Sequence, residues 1–494
     1  MRDEFSAWTR ARNLEAMAAR PLDVLVIGGG IVGSWIAFAA ALRGHRVGLV
    51  EKGDFASGTS GKTSRLVHGG LRYLQQFRLG VVREAARERD VLLRIAPDLV
   101  KPLTFLLPVY RHRGPKGWQL RIGLWLYDAF SREKVLPRRR WLTREESLGR
   151  EPALSPAGLR AGALYSDALT NDARLVLRVI RNAANAGTLV ANYAKVTEVI
   201  REDGRVRGAW ILDEETGHRH EVRATVVVNA TGAWAADLQR EDRRLKLRPT
   251  KGIHLLVRRS RLGNTGAVVL PTHDGRIIFV LPWGDLTLVG TTDTDHRQGR
   301  EHVEADSPDV EYLLRAVNEG FPRARLTAKD VVGTYAGLRP LIDTGEARES
   351  DISRKHEVLV DPDGLVTVAG GKLTTARAMA DDVLRRIAGF LPTPPKVAET
   401  STKELSGTEP DAHDVRKSAV DAARHEMALH VDDVLVRRLG LFYERPDHGL
   451  SLAAEVMDAI GDELHWDADR RAKELVRYRA LVAANERWRE GLRD

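Results

Sequence analysis

The sequence predicts an α/β chain in three parts: a parallel-sheet domain assembled from separated segments, a mixed-sheet second domain, and a helical C-terminal domain. Three observations carry this. An apolar run at 23–27 (DVLVI), a glycine cluster, a helical stretch over Ile31–Arg43 and a strand-like run over His45–Glu51 make one βαβ unit. Short strand patterns broken by Asp-Gly and Pro-Trp-Gly turns follow between Leu189 and Thr292. Beyond Pro392, Pro394 and Pro395 the composition turns to Ala, Leu, Arg and Asp with helical periodicity.

The remaining elements follow in order. A helix rich in paired charges is expected over Leu79–Ile95, closed by Pro97, and 103–150 reads as an excursion from the first domain. Asn171 and Asp172 offer N-caps to a helix running to Asn185, with Gly187 as its stop signal. Leu189–Ile200, Arg205–Leu212 and Glu221–Val228 alternate as strands, joined at Asp203-Gly204 and Thr216-Gly217. A charged helix near 308–320 and a strand at Leu365–Ala369, leading through Gly370-Gly371 into a helix from about Thr374, complete the pattern. The first domain is thus expected over 21–100, 160–245 and 330–392, the second over 101–159 and 246–329, and the helical one over 396–494, after an N-terminal extension of 1–20.

At 494 residues the chain has ample length for these cores, and its lack of cysteine excludes disulfides, thiolate nucleophiles and cysteine-held metal clusters. Any redox activity must therefore rest on a bound cofactor. The first twenty residues mix Arg2, Asp3, Glu4, Arg10, Arg12, Glu15 and Arg20 with few apolar ones, unlike a signal peptide. Pro21–Leu42 lacks Lys and Arg but carries Asp23 and the glycine break, so strand, turn and helix explain it better than a membrane span.

Gly28, Gly30 and Gly33 form G-x-G-x-x-G between strand and helix, and Glu51 ends the next strand. The first glycine permits the tight turn, the second lets backbone approach a pyrophosphate, and the third lets helix and strand pack closely. Phosphates then meet the positive end of the helix, while Glu51 suits an unphosphorylated ribose. This is the fingerprint of a Rossmann-like domain, and it does not choose between NAD and FAD. Two further glycine-rich junctions, Asn229-Ala230-Thr231-Gly232 and Gly370-Gly371-Lys372-Leu373-Thr374, suggest a larger cofactor gripped at several points. A helix starting near Thr374 would aim its positive end at the pyrimidine side of a flavin.

The run Thr59 to Leu74 (TSGKTSRLVHGGLRYL) closely resembles the signature of the FAD-dependent glycerol-3-phosphate dehydrogenases, members of the D-amino-acid-oxidase-like superfamily. Pro282–Asp293 (PWGDLTLVGTTD), Gly333–Leu341 (GTYAGLRPL), the Gly370 to Thr375 junction and the C-terminal VDDVLVRRLGL are similar to it as well. The resemblance implies oxidation of sn-glycerol 3-phosphate to dihydroxyacetone phosphate, with electrons passing through FAD to ubiquinone or menaquinone. It implies a cofactor set of Gly28, Gly30, Gly33, Glu51, Thr63, Ser64, His68, Val196, Ala230, Thr231, Gly232, Gly371, Lys372, Leu373 and Thr374. By the same likeness Arg72, Tyr73, Arg354 and Lys372 hold substrate phosphate, Arg339 lies nearer the reacting carbon, and His254 takes the hydroxyl proton. A dianionic substrate needs such convergent cations.

Other readings stay open: an oxygen-using glycerol-3-phosphate oxidase, a superfamily oxidase of amino or hydroxy acids, and a binding protein acting on nucleic acid or membrane. No metal is expected: His218-Arg219-His220 lies beside a hairpin turn, and Asp293 and Asp295 belong to a loop. No nucleic-acid module is recognisable. A homodimer is expected from the resemblance.

Net charge is +9, and 111–144 alone holds ten basic residues against Asp128 and Glu133. Trp118, Trp125 and Trp141 punctuate that stretch. A solvated basic face is one reading. The other is docking on anionic headgroups with tryptophans at the interface, which would place a cytoplasmic enzyme peripherally on the inner face of the cell membrane, beside its quinone.

Overall fold

Val24, Leu25 and Val26 are buried on both faces of the strand Leu22–Ile27, the mark of a central parallel strand. In the computed structural model, which describes residues 4–75, 78–111, 114, 117–130, 136–296, 299–343, 356–391 and 399–491, this strand pairs in parallel with Val47–Val50 on one side and Arg219–Asn229 on the other. Leu189–Ala191 and Val366–Ala369 extend the parallel register outward, and Glu357–Val360 closes the edge antiparallel. The helices Ile31–Leu42, Asp172–Asn185 and Ala376–Ile387 pack together over this sheet.

The second sheet is mixed. Thr250–Arg258 sits between Leu286–Gly290 and Val331–Arg339, both antiparallel to it, while Ala267–Pro271 pairs in parallel with Lys101–Tyr110. The α/β class with a mixed second sheet and a helical C-terminus is thus what the chain adopts.

Several elements depart from expectation. Among its described residues, the excursion at 103–150 carries the strand Lys101–Tyr110, the helix Gly117–Phe130, the strand Arg140–Thr143 and the helix Arg144–Arg150. Leu159–Leu169 pairs along its length with Lys101–Tyr110, so it belongs to the second sheet, as do Leu66–Val67 and Val331–Arg339. The expected limits had assigned those three segments to the first domain. Leu189–Ile200 is two strands, broken at Asn192 and Tyr193. Tyr193 adopts φ 48, and buried Asn192 donates to Asp54 and to the Met427 carbonyl. The N-terminal extension carries a helix, Ala7–Ala19, whose buried Arg10 donates to the Asn192 and Tyr193 carbonyls.

The C-terminal helices Val415–Glu426, Leu450–Glu463 and Ala468–Glu486 pack on one another, and ion pairs tie them back. Arg174 of the helix Asp172–Asn185 engages Glu426 through both terminal nitrogens. Asp432 and Asp433 gather Arg437, with Tyr193 of the sheet region donating to Asp433.

Candidate active site

The glycine turn is shaped by what it cannot hold. A Cβ on Gly33 would lie 1.9 Å from the Gly28 carbonyl oxygen, and one on Gly28, itself at φ +114, would lie 2.5 Å from that of Ala230. Gly30 caps the helix Ile31–Leu42, and a Cβ there would meet only Ser60, at 3.0 Å. The Ile31 amide at the helix start donates to Ser60 Oγ at 2.9 Å, and this N-terminal end of the helix is the end that favours a pyrophosphate. Glu51 closes the second strand and accepts from the Gly29 and Gly53 amides at 2.7 and 3.0 Å. Burial pushes its pKa up, those amides oppose the rise, and the remaining carboxylate lone pairs suit ribose hydroxyls. The Ala194 amide donates to the Glu51 carbonyl, bringing Val196 of the strand Ala194–Glu202 to the same corner. Ala230, Thr231 and Gly232 follow the adjoining strand, with the Ala230 amide bonded to Ile27 and Gly232 at φ +60.

The second cradle lies where Thr59–Gly70 meets Gly370–Thr375. The His68 amide donates to Thr374 Oγ1 at 3.1 Å, joining the two segments. Gly371 sits at φ +85 against Met379, where a Cβ would fall 2.3 Å from Sδ. Leu373–Thr375 forms a 3₁₀ turn ahead of the helix Ala376–Ile387, so the expected helix from about Thr374 begins two residues later. Lys372 Nζ stands 3.7 Å over the Tyr73 ring, and Gly70 makes room for that ring. Arg354 and the side chain of Arg72 lie outside the described residues.

The reacting end is built on the second sheet. His254, on the strand Thr250–Arg258, is buried, stacks on Tyr335 at 4.7 Å between centroids, and pairs Nε2 with Ser64 Oγ at 2.8 Å. Gly290 lies opposite in register; a Cβ there would come 2.3 Å from the His254 ring. The imidazole pKa falls to about 3, through burial first and then the nearby cations Arg339 and Arg65. The ring is therefore neutral at ordinary pH, its unprotonated nitrogen a hydrogen-bond acceptor and a weak base. Arg339 is oriented by Asp293 at 2.9 Å, Thr291 Oγ1 at 3.2 Å and the Thr292 carbonyl at 3.0 Å, and Asp295 is held by Arg248.

Four contributors were not singled out from sequence. Arg65 lays its guanidinium 3.0 Å over the Trp283 ring and is 3.8 Å from Asp172. Asp172 is no helix cap: Asn171 takes that role, while the Asp172 carboxylate accepts from the Thr63 amide and hydroxyl, both at 2.8 Å. Tyr335 donates to the Thr63 carbonyl at 2.7 Å. Beneath Gly69, buried Asp167 accepts from the Gly69 amide, Tyr127 and Arg89 and so fixes the turn that bears His68. Arg65 and Tyr335 stand inside the motif runs, so a search of those runs for further cations and aromatics would have raised them.

Fold and site together define a flavin-dinucleotide oxidoreductase: two glycine cradles, an acid at the ribose corner and a buried neutral imidazole on a facing sheet. Residues 23–386 match the family described as FAD dependent oxidoreductase, and 395–471 match the C-terminal domain of alpha-glycerophosphate oxidase. Glycerol-3-phosphate dehydrogenase of Mycobacterium leprae (strain TN) is 36% identical over 533 residues, covering 96% of this chain and 90% of that protein. Aerobic glycerol-3-phosphate dehydrogenase of Bacillus subtilis (strain 168) is 39% identical over 387 residues, covering 78% and 70%. The structure of glycerol-3-phosphate dehydrogenase from Bacillus halodurans complexed with FAD superposes with a TM-score of 0.80 at 28% identity, covering 97% of this chain and 98% of that one. The chain belongs to the FAD-dependent glycerol-3-phosphate dehydrogenase family.

Proposed function

We propose that this protein oxidises sn-glycerol 3-phosphate to dihydroxyacetone phosphate and passes the electrons to a quinone. The observation that carries the reading is buried His254, paired with Ser64, stacked on Tyr335 and under the influence of Arg339 and Arg65, together with the Lys372–Tyr73 pair at the second glycine cradle. FAD, when bound, supplies the hydride acceptor.

This chain's residues supply the rest. Gly28, Gly30, Gly33 and Glu51 hold the dinucleotide end, and the Gly371–Thr374 junction with His68 holds the flavin end. Val196 joins Glu51 at the ribose corner, and Ala230, Thr231 and Gly232 meet the dinucleotide beside Gly28. Lys372 and Tyr73, with Arg72 and Arg354, take the substrate phosphate. Arg339, fixed by Asp293, orients the carbon end. His254 accepts the hydroxyl proton at Nε2, the nitrogen now paired with Ser64. Burial depresses His254 most and the cations Arg339 and Arg65 add to it, so the negative charge of a bound substrate opposes the cations' share and raises its basicity.

The basic stretch supports a membrane-borne acceptor in a changed form. Arg139 pairs with Asp128, Arg140 with Glu146, and Arg121 stacks on Trp141, so part of its charge is answered internally. What stands out is apolar. Trp118, Ile122 and Trp125 of the helix Gly117–Phe130 are 62%, 52% and 56% exposed, at helical spacing on one face. We assign that face to an anionic membrane surface, where indoles and flanking cations anchor well. Among the described residues no helix is long and apolar enough to cross a membrane. The oxygen-using alternative draws on the C-terminal match to alpha-glycerophosphate oxidase. Rapid reoxidation of the reduced flavin by a ubiquinone or menaquinone analogue, with slow hydrogen peroxide formation in air, supports the quinone reading; the reverse order of rates supports the oxidase.

A further inference from the structure

The short helix Leu441–Glu444 brings the C-terminal region to the reacting end. Glu444 Oε1 accepts from Trp283 Nε1 at 2.6 Å. Trp283 ends the strand Ile277–Trp283, and its indole is the surface on which the Arg65 guanidinium rests. Beside it, the buried Tyr443 ring lies 5.2 Å from Tyr335 and 6.5 Å from Trp283. Tyr335 in turn stacks on His254 and bonds Thr63. Gly333, on the same strand as Tyr335, gives the Tyr443 backbone its approach, since a Cβ there would lie 3.3 Å from the Tyr443 carbonyl oxygen.

Two contact chains therefore run inward from this helix: Glu444 through Trp283 to Arg65, and Tyr443 through Tyr335 to His254. A helix serving only to dock the C-terminal region has no need of a carboxylate aimed at an indole that carries a cation. Fixing the indole N–H fixes the plane of the ring. The cation–π contact then fixes where Arg65 stands.

We propose that Glu444 is a positioning residue for substrate oxidation, holding Trp283 so that Arg65 is set correctly beside His254, with Tyr443 steadying Tyr335. The C-terminal region thereby completes the reaction site rather than merely covering the fold. This rests on the glycerol 3-phosphate reading. Reacting geometry is sensitive to small displacements: even remote changes that misplace a group by about 1 Å can cost up to ~100-fold.

The test compares Glu444→Ala with Glu444→Gln in FAD-loaded protein. Gln keeps an acceptor for the indole; Ala does not. Glu444→Ala is expected to slow flavin reduction by saturating sn-glycerol 3-phosphate about tenfold, with KM within about twofold, and Glu444→Gln to recover most of the rate. An unchanged Ala variant, a Gln variant as slow as Ala, or a loss confined to KM would overturn the proposal. The Trp283 indole N–H resonance, assigned with Trp283→Phe, gives a second readout that needs no substrate. It should shift in the Ala variant and return in the Gln variant; a resonance indifferent to both also overturns the proposal. If wild-type flavin ignores glycerol 3-phosphate while the resonance behaves as expected, the substrate reading fails and the positioning contact stands.

Discussion

Asp54 and Arg438 form an ion pair in which neither side chain is exposed to solvent. It joins the loop after the second parallel strand to the C-terminal helices: Arg438 spans both carboxylate oxygens, and Arg437 donates to Oδ2, which Arg438 also engages. Arg438 also donates to the Glu426 carbonyl at 2.7 Å, so the guanidinium is anchored within the C-terminal region as well. Removing one partner leaves a buried charge uncompensated, which costs far more than the pair contributes net. Asp54→Asn, which strips the buried Arg438 guanidinium of its carboxylate, is expected to destabilise the protein by about 3–5 kcal/mol. Urea unfolding followed by tryptophan fluorescence measures it, and a change below about 1 kcal/mol would show that the pair is relaxed or wet.

A second contact between the same regions titrates. His430 is sandwiched between Glu215 and Glu474 at 3.0 and 2.8 Å, and these carboxylates outweigh burial to raise its pKa to about 9. A histidine whose folded pKa is raised contributes stability fully present below its unfolded pKa of about 6.5, lost as pH climbs through 9. The protein should therefore lose up to about 3 kcal/mol between pH 6 and pH 10 from this group, and His430→Gln should flatten that part of the profile. Equal slopes in both proteins would remove His430 from the account.

Gly33→Ala tests the first cradle. The added methyl would fall 1.9 Å from the Gly28 carbonyl, a backbone atom with nowhere to go. The variant is expected to purify with little or no yellow flavin while the far-ultraviolet circular dichroism stays close to wild type. Full flavin occupancy would mean that the cofactor is held elsewhere.

His254→Gln tests the proton acceptor. Glutamine preserves a partner for Ser64 but accepts no proton at working pH. The expected loss in the rate of flavin reduction is about 100- to 10,000-fold, with substrate affinity little changed. Because His254 is depressed to about 3 in the free protein, wild-type kcat/KM should show no downward limb near pH 6.5 from this residue. Near-normal turnover in the variant would move the role to another group.

How much of this could be read from the residues alone depends on how local each cause is. The βαβ unit was legible because strand run, glycines, helix and acid all point the same way between Asp23 and Glu51. Leu159–Leu169 (LRAGALYSDAL) was not: it lacks β-branched residues and is a strand because Lys101–Tyr110 pairs with it along its length. Its Gly162 is required where Ser147 of a crossing helix would meet a Cβ at 2.4 Å. At the site, His254, Arg339, Lys372 and Tyr73 were accessible through the family likeness, and the structure brings His254 to Arg339 and Lys372 to Tyr73. Glu444 had no local signal. Its partner Trp283 lies 161 positions away, and nothing in either segment announces the contact.

The central claim is that a bound flavin here takes a hydride from glycerol 3-phosphate. Anaerobic absorbance of the purified yellow protein tests it directly. The account predicts that sn-glycerol 3-phosphate bleaches the flavin band, while glycerol, lactate and glycine leave it intact. A flavin that stays oxidised with glycerol 3-phosphate, or that bleaches with a carboxylate substrate instead, would contradict it.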